Sequence, residues 1–579
     1  MADVITRIYS NFRGADFRGD EINLSRSPDL LNVWKDYRET ESIRTRPGLA
    51  LLKAFTEPIY GIFFYRGMTL VHSGSSLYKL TDGATEAIKD GLNEARSYAF
   101  VYEDVWYFKD GRNYLQYDGD EIKPVEGYIP TTTIARRPTG GGQKYEDVNM
   151  LSPYRKNSFL SDGVSFSYFF DFYDVDTDYY PVVTYTNTDD PNIEKDENDV
   201  VATSEYSFDP EKGSITFINN PPQGPQTPGQ DNVIIQFKKV VPRYTECIEK
   251  CTMLQEFDNR VFFSGNPDYP NYIWHCSLND PSYVSDLDYY KEGMDNGAVR
   301  GMAAGNNALW VFREPSDSNT TVFYHTPAID EEYGKIYPSS HSSISTGCIG
   351  AAVNFNDDIV FFSSRGMEGI NGDITTEQVV AHRSSLVDRK LISEDGYNDM
   401  ILAEWEGYLL VIVKWVNERG EAVGSKVYLA DSRAMFQNEN HMEYEWFYWE
   451  LDKAVTCAKV YNGMLYLGCE DGLYTLSDLT KNVESYYTTP KDKFKTPHKL
   501  KTTNKRGCVA EATGDISVYA KLEDTEFELI GTYEDVTDYF VSRIKRKKFK
   551  DIQLKFFSST RFSLETVTLE CFVGGYIKR

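Results

Sequence analysis

The feature that most constrains this chain of 579 residues is a phrase that recurs along it. An alternating apolar strand runs into a tight turn at Gly, Asn or Asp, then into a denser apolar strand, and often through a further Gly-containing turn into an aromatic strand. The clearest copies are residues 60–80 (YGIFFYRGMTLVHSGSSLYKL), 97–117 (SYAFVYEDVWYFKDGRNYLQY) and 455–476 (VTCAKVYNGMLYLGCEDGLYTL). Tyr65-Arg66-Gly67, Tyr102-Glu103-Asp104 and Tyr461-Asn462-Gly463 share the first turn; Leu77-Tyr78, Tyr114-Leu115 and Leu473-Tyr474 share the last strand. Turn residues that tolerate positive φ, flanked by apolar residues at period two, are what a β-hairpin requires. Shorter copies stand at 251–264, 299–312, 348–363 and 400–413, each leading into a run such as Val-Phe-Phe or Leu-Trp-Val. Such runs are apolar on both faces, as strands buried on both sides are. Repeats of roughly 40 to 50 residues with three or four short strands predict an all-β chain, a β-propeller of about seven blades.

More than a hundred residues separate the second copy from the third, too many for a loop in a compact domain, so an inserted domain is expected. The sequence divides into an N-terminal segment closing onto the propeller (1–56), a first propeller stretch (57–140), an inserted β-sandwich (141–242), a second propeller stretch (243–488) and a C-terminal β-rich domain (489–579). Within the insertion, 157–172 reads as a hairpin-like start, 206–217 as a hairpin around Lys212-Gly213, and 233–239 as a last strand, with Pro221-Pro222 and Pro228-Gly229 punctuating the connections. A polar basic stretch at 491–506 precedes a final alternation of Ile, Val and Phe over 516–573. No strongly amphipathic helix of four turns is expected.

Composition agrees with strands and excludes whole-chain disorder: 41% of residues are hydrophobic, with 42 Tyr and 33 Phe, types that favour pleated, half-buried surfaces. The formal charge of −27 argues against a general nucleic-acid-binding surface, because phosphate affinity comes from Lys and Arg releasing counterions. The imbalance is uneven. Residues 491–579 hold 18 Lys+Arg against 13 Asp+Glu, net +5, leaving 43 against 75, net −32, for residues 1–490. The N-terminus (MADVITRIYSNFRG) has charges where a signal peptide needs an apolar run. No stretch approaches the roughly 18 to 20 apolar residues of a membrane-spanning helix. Eight scattered Cys without a CxxC pair suggest free, buried thiols in a reducing compartment.

Catalytic signatures are sparse. There is no GxSxG elbow, P-loop, GxGxxG or HExxH, and no enzymatic activity or cofactor is expected. His72, His275 and His325 stand in strand or turn contexts that suit structural hydrogen bonding. Cys247, Cys251, Cys276 and His275 imitate a zinc cluster with the wrong first spacing. Asp174-x-Asp176-x-Asp178 opens like a calcium loop, then fails where Tyr179 replaces the turn Gly and Tyr185 the bidentate Glu; it reads as an acidic loop, and no metal is expected. Ser161-Asp162-Gly163-Val164-Ser165-Phe166 does not fit the Asp-box spacing of sialidase-type propellers. The basic run Arg543, Lys545, Arg546, Lys547 and Lys548 is a candidate for docking an acidic partner; its bland reading is a solvated edge strand guarded by lysines.

Phe12-Arg13-Gly14-Ala15-Asp16, Arg26-Ser27-Pro28-Asp29-Leu30-Leu31-Asn32-Val33-Trp34 and Thr45-Arg46-Pro47-Gly48-Leu49 together resemble the opening of bacteriophage tail nozzle and head-stabilisation proteins. Asn157-Ser158-Phe159 with Asp162-Gly163, Gly213-Ser214-Ile215-Thr216-Phe217 and Asn220-Pro221-Pro222 look like that family's β-sandwich insertion. Phe262-Phe263-Ser264-Gly265-Asn266-Pro267 leading to Asp280-Pro281-Ser282-Tyr283, and Phe361-Phe362-Ser363-Ser364-Arg365-Gly366, look like its propeller phrases. The resemblance spans roughly residues 10–480.

It implies a structural virion protein of the neck or tail, assembled in the host cytoplasm as a hexameric ring below the portal and adaptor. The ring would belong to the conduit for genome retention and DNA passage, with no membrane anchoring. Carboxylates lining such a conduit would repel the phosphate backbone and let the duplex slide. The alternatives are a receptor- or glycan-binding tail component, whose Tyr and Trp would stack on sugars, and a propeller glycoside hydrolase using paired carboxylates.

Overall fold

Seven two-residue turns organise the molecule. In a computed structural model describing residues 4–576 except 19–22, 37, 82–83, 187–189, 317–319, 332–333, 372–378, 439–440 and 546–547, each of the seven phrases folds into a hairpin. In every one both turn residues have positive φ: Arg66-Gly67, Glu103-Asp104, Asp258-Asn259, Asn306-Asn307, Asn356-Asp357, Glu406-Gly407 and Asn462-Gly463. This is the type I′ geometry whose twist matches that of the flanking strands. Each hairpin grows into a four-stranded antiparallel sheet, and the chain is all-β, of the β-propeller class, with an inserted β-sandwich and a C-terminal β-domain. The second strands are the most buried. Ala308–Arg313 and Asp358–Ser363 are covered along nearly their whole length, as their doubly apolar sequences require.

The chain divides into two units, Met1–Arg96 with Val299–Arg579, and Ser97–Ala298. The first holds five blades. Its first blade is the meander Ile59–Tyr65, Met68–Ser73, Ser76–Thr81 and Ala84–Asp90. The last is Val455–Tyr461, Met464–Cys469 and Gly472–Asp478, completed by Gly48–Ala54 from the beginning of the chain. These two blades share a core in which Ile59, Ile62 and Val71 meet Cys457 and Leu473. Between the blades starting at Val299 and at Ala352, Trp310 and Phe312 pack on Ile359 and Phe361.

The C-terminal domain is built on one long strand, Lys499–Leu522, which pairs along its length with Phe562–Tyr576, Ile552–Ser558, Glu528–Val536 and Tyr539–Ser542. The N-terminal segment belongs to the same sheet: Val4–Tyr9 pairs with Phe562–Tyr576, and Leu30–Leu31 with Ser485–Thr488.

The second unit contains two blades and the sandwich. Phe100, Tyr107 and Tyr114 of one blade share a core with Val261, Phe263 and Trp274 of the other. The sandwich sets five strands (Gln143–Lys144, Thr131–Arg136, Tyr154–Phe159, Val233–Lys238, Val182–Tyr185) against three (Ser167–Phe169, Ser214–Phe217, Tyr206–Asp209). The expected hairpin at 206–217 is present. The expected hairpin at 157–172 is not: Tyr154–Phe159 and Ser167–Phe169 lie in opposite sheets. The Asp162 carboxylate accepts the backbone N–H groups of Val164 and Ser165, an Asx turn that carries the chain across the sandwich instead of folding it back.

Candidate functional site

The N-terminal phrases converge on a single buried joint in the first unit. Arg26 lies on a two-residue strand, Arg26–Ser27, parallel to Gly14–Ala15. Gly14 is required there: at φ +110° a Cβ would stand 2.0 Å from the carbonyl oxygen of Trp446. The Arg26 guanidinium donates two hydrogen bonds to Glu445, Nε to Oε2 at 2.8 Å and Nη2 to Oε1 at 2.7 Å, and rests 4.2 Å from the Phe436 ring centre. Arg13 is the second cation, 3.6 Å from the same carboxylate. Burial raises the pKa of Glu445 while Arg26 and Arg13 oppose it.

Asn32, held at φ 54°, is the hub of the next layer. Its Oδ1 accepts Arg46 Nε and the Glu450 N–H, each at 2.9 Å, and its Nδ2 donates to the Glu484 carbonyl at 2.9 Å. Arg46 donates onward to the Glu450 carbonyl at 2.8 Å, and burial pushes its pKa down to about 10. Ser27 Oγ reaches the Thr488 carbonyl at 2.7 Å. Trp34 stacks on Trp405 at 5.2 Å, and Trp449 Nε1 donates to the Val33 carbonyl. Residues 12–16, 26–34 and 45–49 thus tie blade strand His441–Leu451 to the C-terminal domain.

The ionic network continues into the neighbouring blade. Arg383 binds Asp358 through Nε (2.7 Å) and Nη2 (3.1 Å), and Tyr444 donates to the same carboxylate at 2.6 Å. Glu443 accepts the N–H and the hydroxyl of Ser385. His382 sits between two carboxylates, Nε2 to Asp388 at 2.5 Å and Nδ1 to Glu368 at 3.5 Å. Burial alone would lower its pKa, but Asp388 and Glu368 outweigh it and raise it to about 10.

A Ser, a His and an Asp meet here in an order that cannot run a nucleophile relay. Ser384 donates its hydroxyl to Asp388 at 2.6 Å and not to the imidazole, and both ring nitrogens already face acids. Activation needs the base on the hydroxyl and the carboxylate behind the base. The arrangement clamps and orients; it does not deprotonate a nucleophile.

The other residues singled out in sequence fall in separate places. His275 Nδ1 lies 3.1 Å from the Cys276 carbonyl and His325 Nδ1 2.9 Å from that of Tyr337, and His72 is buried. Cys251 and Cys276 are buried thiols that burial pushes up to about 12. Asp176 accepts the Val240 N–H and Asp178 pairs with Lys238. Arg543, Lys545 and Lys548 are exposed, Ile544 between the first two is buried, and Arg546 and Lys547 lie outside the described residues. The edge-strand reading of this run is corrected: Arg543, Lys545 and Lys548 stand in the connection between Tyr539–Ser542 and Ile552–Ser558, and the strand that follows is no edge, because Ile552–Ser558 is paired on one side with Ser485–Thr488 and on the other with Lys499–Leu522.

In the second unit a groove of about 420 Å³ opens between its two blades, with Phe100, Tyr102 and Phe257 beside Asp258, Arg260 and Asp280. Phe100 is buried and stacked on Tyr107, which leaves the half-buried Tyr102 and Phe257, flanked by acids, an amide and a guanidinium, a lining that suits a polar ring-shaped ligand. The phrases that hold Arg13, Arg26, Asn32 and Arg46 stand out in the sequence, but their partners in the joint do not, and neither does this groove. Arg26 and Glu445 are 419 positions apart, and no local spacing announces such a pair.

No protein-family model matches the chain, and no curated protein is significantly similar to it. Among solved structures it is similar to the computationally designed Ika8 protein (9% identity, TM-score 0.32, covering 75% of this chain and 100% of that one). It is also similar to BamB from Moraxella catarrhalis (10%, 0.31, 74% and 96%), and to an exo-beta-1,3-galactanase from Phanerochaete chrysosporium (10%, 0.23, 55% and 94%). At such distances none of them bears on what this chain does, and the propeller class rests on the seven blades themselves.

Proposed function

We propose that the chain is a structural, non-enzymatic component of a bacteriophage neck or tail, assembling as a ring around the path of the DNA. The observation that carries this reading is the fate of the phrases that resemble the tail nozzle family. Residues 12–16, 26–34 and 45–49 supply the buried joint between the C-terminal domain and the blades. A protein that retains a genome under pressure needs its domains locked by buried directional contacts, and bidentate Arg–carboxylate pairs supply geometry as well as energy. The charge of −27 supports a surface over which DNA passes without adhering.

The test is negative-stain microscopy and mass photometry of the full chain, alone and with portal–adaptor complexes. Rings of uniform copy number that add to the adaptor are expected. A strictly monomeric chain that ignores the adaptor refutes the reading.

A second reading is favoured by the aromatic groove of the second unit, a receptor- or glycan-binding tail component. Glycan-array binding lost on Tyr102→Ala, with ring assembly absent, would decide for it.

A further inference from the structure

A small hollow of mixed lining, of about 140 Å³, opens in the C-terminal domain between the strands Lys499–Leu522 and Glu528–Val536 and the connection after Ser542. Leu522, Leu529, Ile530 and Ile544 line it. Arg543 and Lys545, the described start of the basic run, stand on its rim, with Glu528 as the one acid beside them. Leu529 is 56% exposed, a large aliphatic side chain among the residues that line the hollow. At about 30 Å³ per water-sized group, such a hollow holds four to five heavy atoms, the size of one branched aliphatic side chain.

The same unit carries a projection of matching chemistry. A short hairpin, Ala328–Asp330 with Gly334–Ile336, juts from the blade that starts at Val299. Ile329 is 89% exposed on it, opposite Lys335, and is followed by Asp330 and Glu331.

We propose that the hollow is a socket for a second copy of this chain and that the hairpin is its plug. Ile329 of one copy fills the hollow of the next, with Asp330 and Glu331 against Arg543 and Lys545. This rests on the ring reading above and gives that ring its joint. Plug and socket are different surfaces, so the contact is heterologous and runs head to tail, the type that closes into rings. Charge favours the same direction of approach, since a C-terminal region of net +5 meets a body of net −32. That attraction steers association and weakens with salt.

Sedimentation and mass photometry of the full chain over a range of concentration and salt test the joint. Arg543→Glu with Lys545→Glu is expected to raise the midpoint concentration for assembly by about tenfold or more, the scale of losing paired charges at an interface. Asp330→Lys with Glu331→Lys should do the same, and Ile329→Asp should abolish assembly. Combining the two charge reversals should restore assembly to near the wild-type midpoint, which a misfolded variant cannot do. Rings that form at the wild-type midpoint in both reversals, or a combined variant that stays dispersed, overturn the joint and leave the ring reading standing. Rings that persist in Arg543→Glu/Lys545→Glu while binding to the adaptor is lost also overturn it, by making the socket's occupant an acidic segment of the adaptor. A wild-type chain that never assembles overturns the ring reading and the joint with it.

Discussion

Replacing Arg26 by Met removes the guanidinium and leaves the Glu445 carboxylate, 1% exposed, in a site built for an ion pair. Two hydrogen bonds of 2.8 and 2.7 Å disappear, and the remaining cation, Arg13, is 3.6 Å away on a side chain 44% exposed to water, where screening weakens it. Breaking a buried pair from one side costs about 3–5 kcal/mol. The residual Arg13 contact places Arg26→Met toward the lower end of that range. The double variant Arg26→Met/Glu445→Met exchanges the pair for apolar groups beside Phe436, and such exchanges are neutral or stabilising by about 1–4 kcal/mol. Urea unfolding followed by tryptophan fluorescence reads the difference, because Trp34, Trp405, Trp446 and Trp449 share the surrounding core. At slopes of about 1–3 kcal/mol per molar urea or steeper, the single variant should lose about 1 M of midpoint and the double variant should return to wild type or above. A single variant as stable as wild type, or a double variant as weak as the single, would refute the argument that the joint is held by mutual compensation of buried charges.

Other outcomes follow from the same geometry. The pKa of His382 is raised from 6.5 to about 10 in the folded chain, so its stabilisation is complete below pH 6.5 and is lost as pH climbs toward 10; His382→Gln should flatten the pH dependence of unfolding free energy between those values. Gly14→Ala should cost about 3 kcal/mol or more, from the clash at 2.0 Å and the positive φ together, read as a lowered melting temperature. Glu406 occupies the first position of a type I′ turn at φ 52°, where Asn is favoured; Glu406→Asn should raise stability by about 0.5–1 kcal/mol in denaturant titration. Tyr102→Ala should leave ring assembly unchanged while abolishing any binding that a glycan array detects at the second-unit groove.

The repeating hairpin was legible in the sequence because type I′ turns and period-two alternation are local: seven phrases, each within about two dozen residues, carry seven two-residue turns. Burial of the second strands was legible for the same reason, as a strand apolar on both faces has no solvent side. Failures came where a local pattern was a poor guide to its partner. Residues 157–172 alternate like a hairpin, yet Asp162 and Gly163 turn the chain into the opposite sheet. The run at 543–548 looks like a guarded edge, yet the strand that follows, Ile552–Ser558, is paired on both sides.

By itself, then, the sequence determined the unit of construction, the all-β class and the separation of an acidic body from a basic tail, since these depend on neighbours along the chain. Tertiary structure alone decided that Gly48–Ala54 completes the last blade, that Arg26 meets Glu445, and that Ile544 floors a hollow rimmed by Arg543 and Lys545. Those contacts are made between residues hundreds of positions apart, or by side chains whose direction depends on which surface the core claims, and no local spacing encodes either.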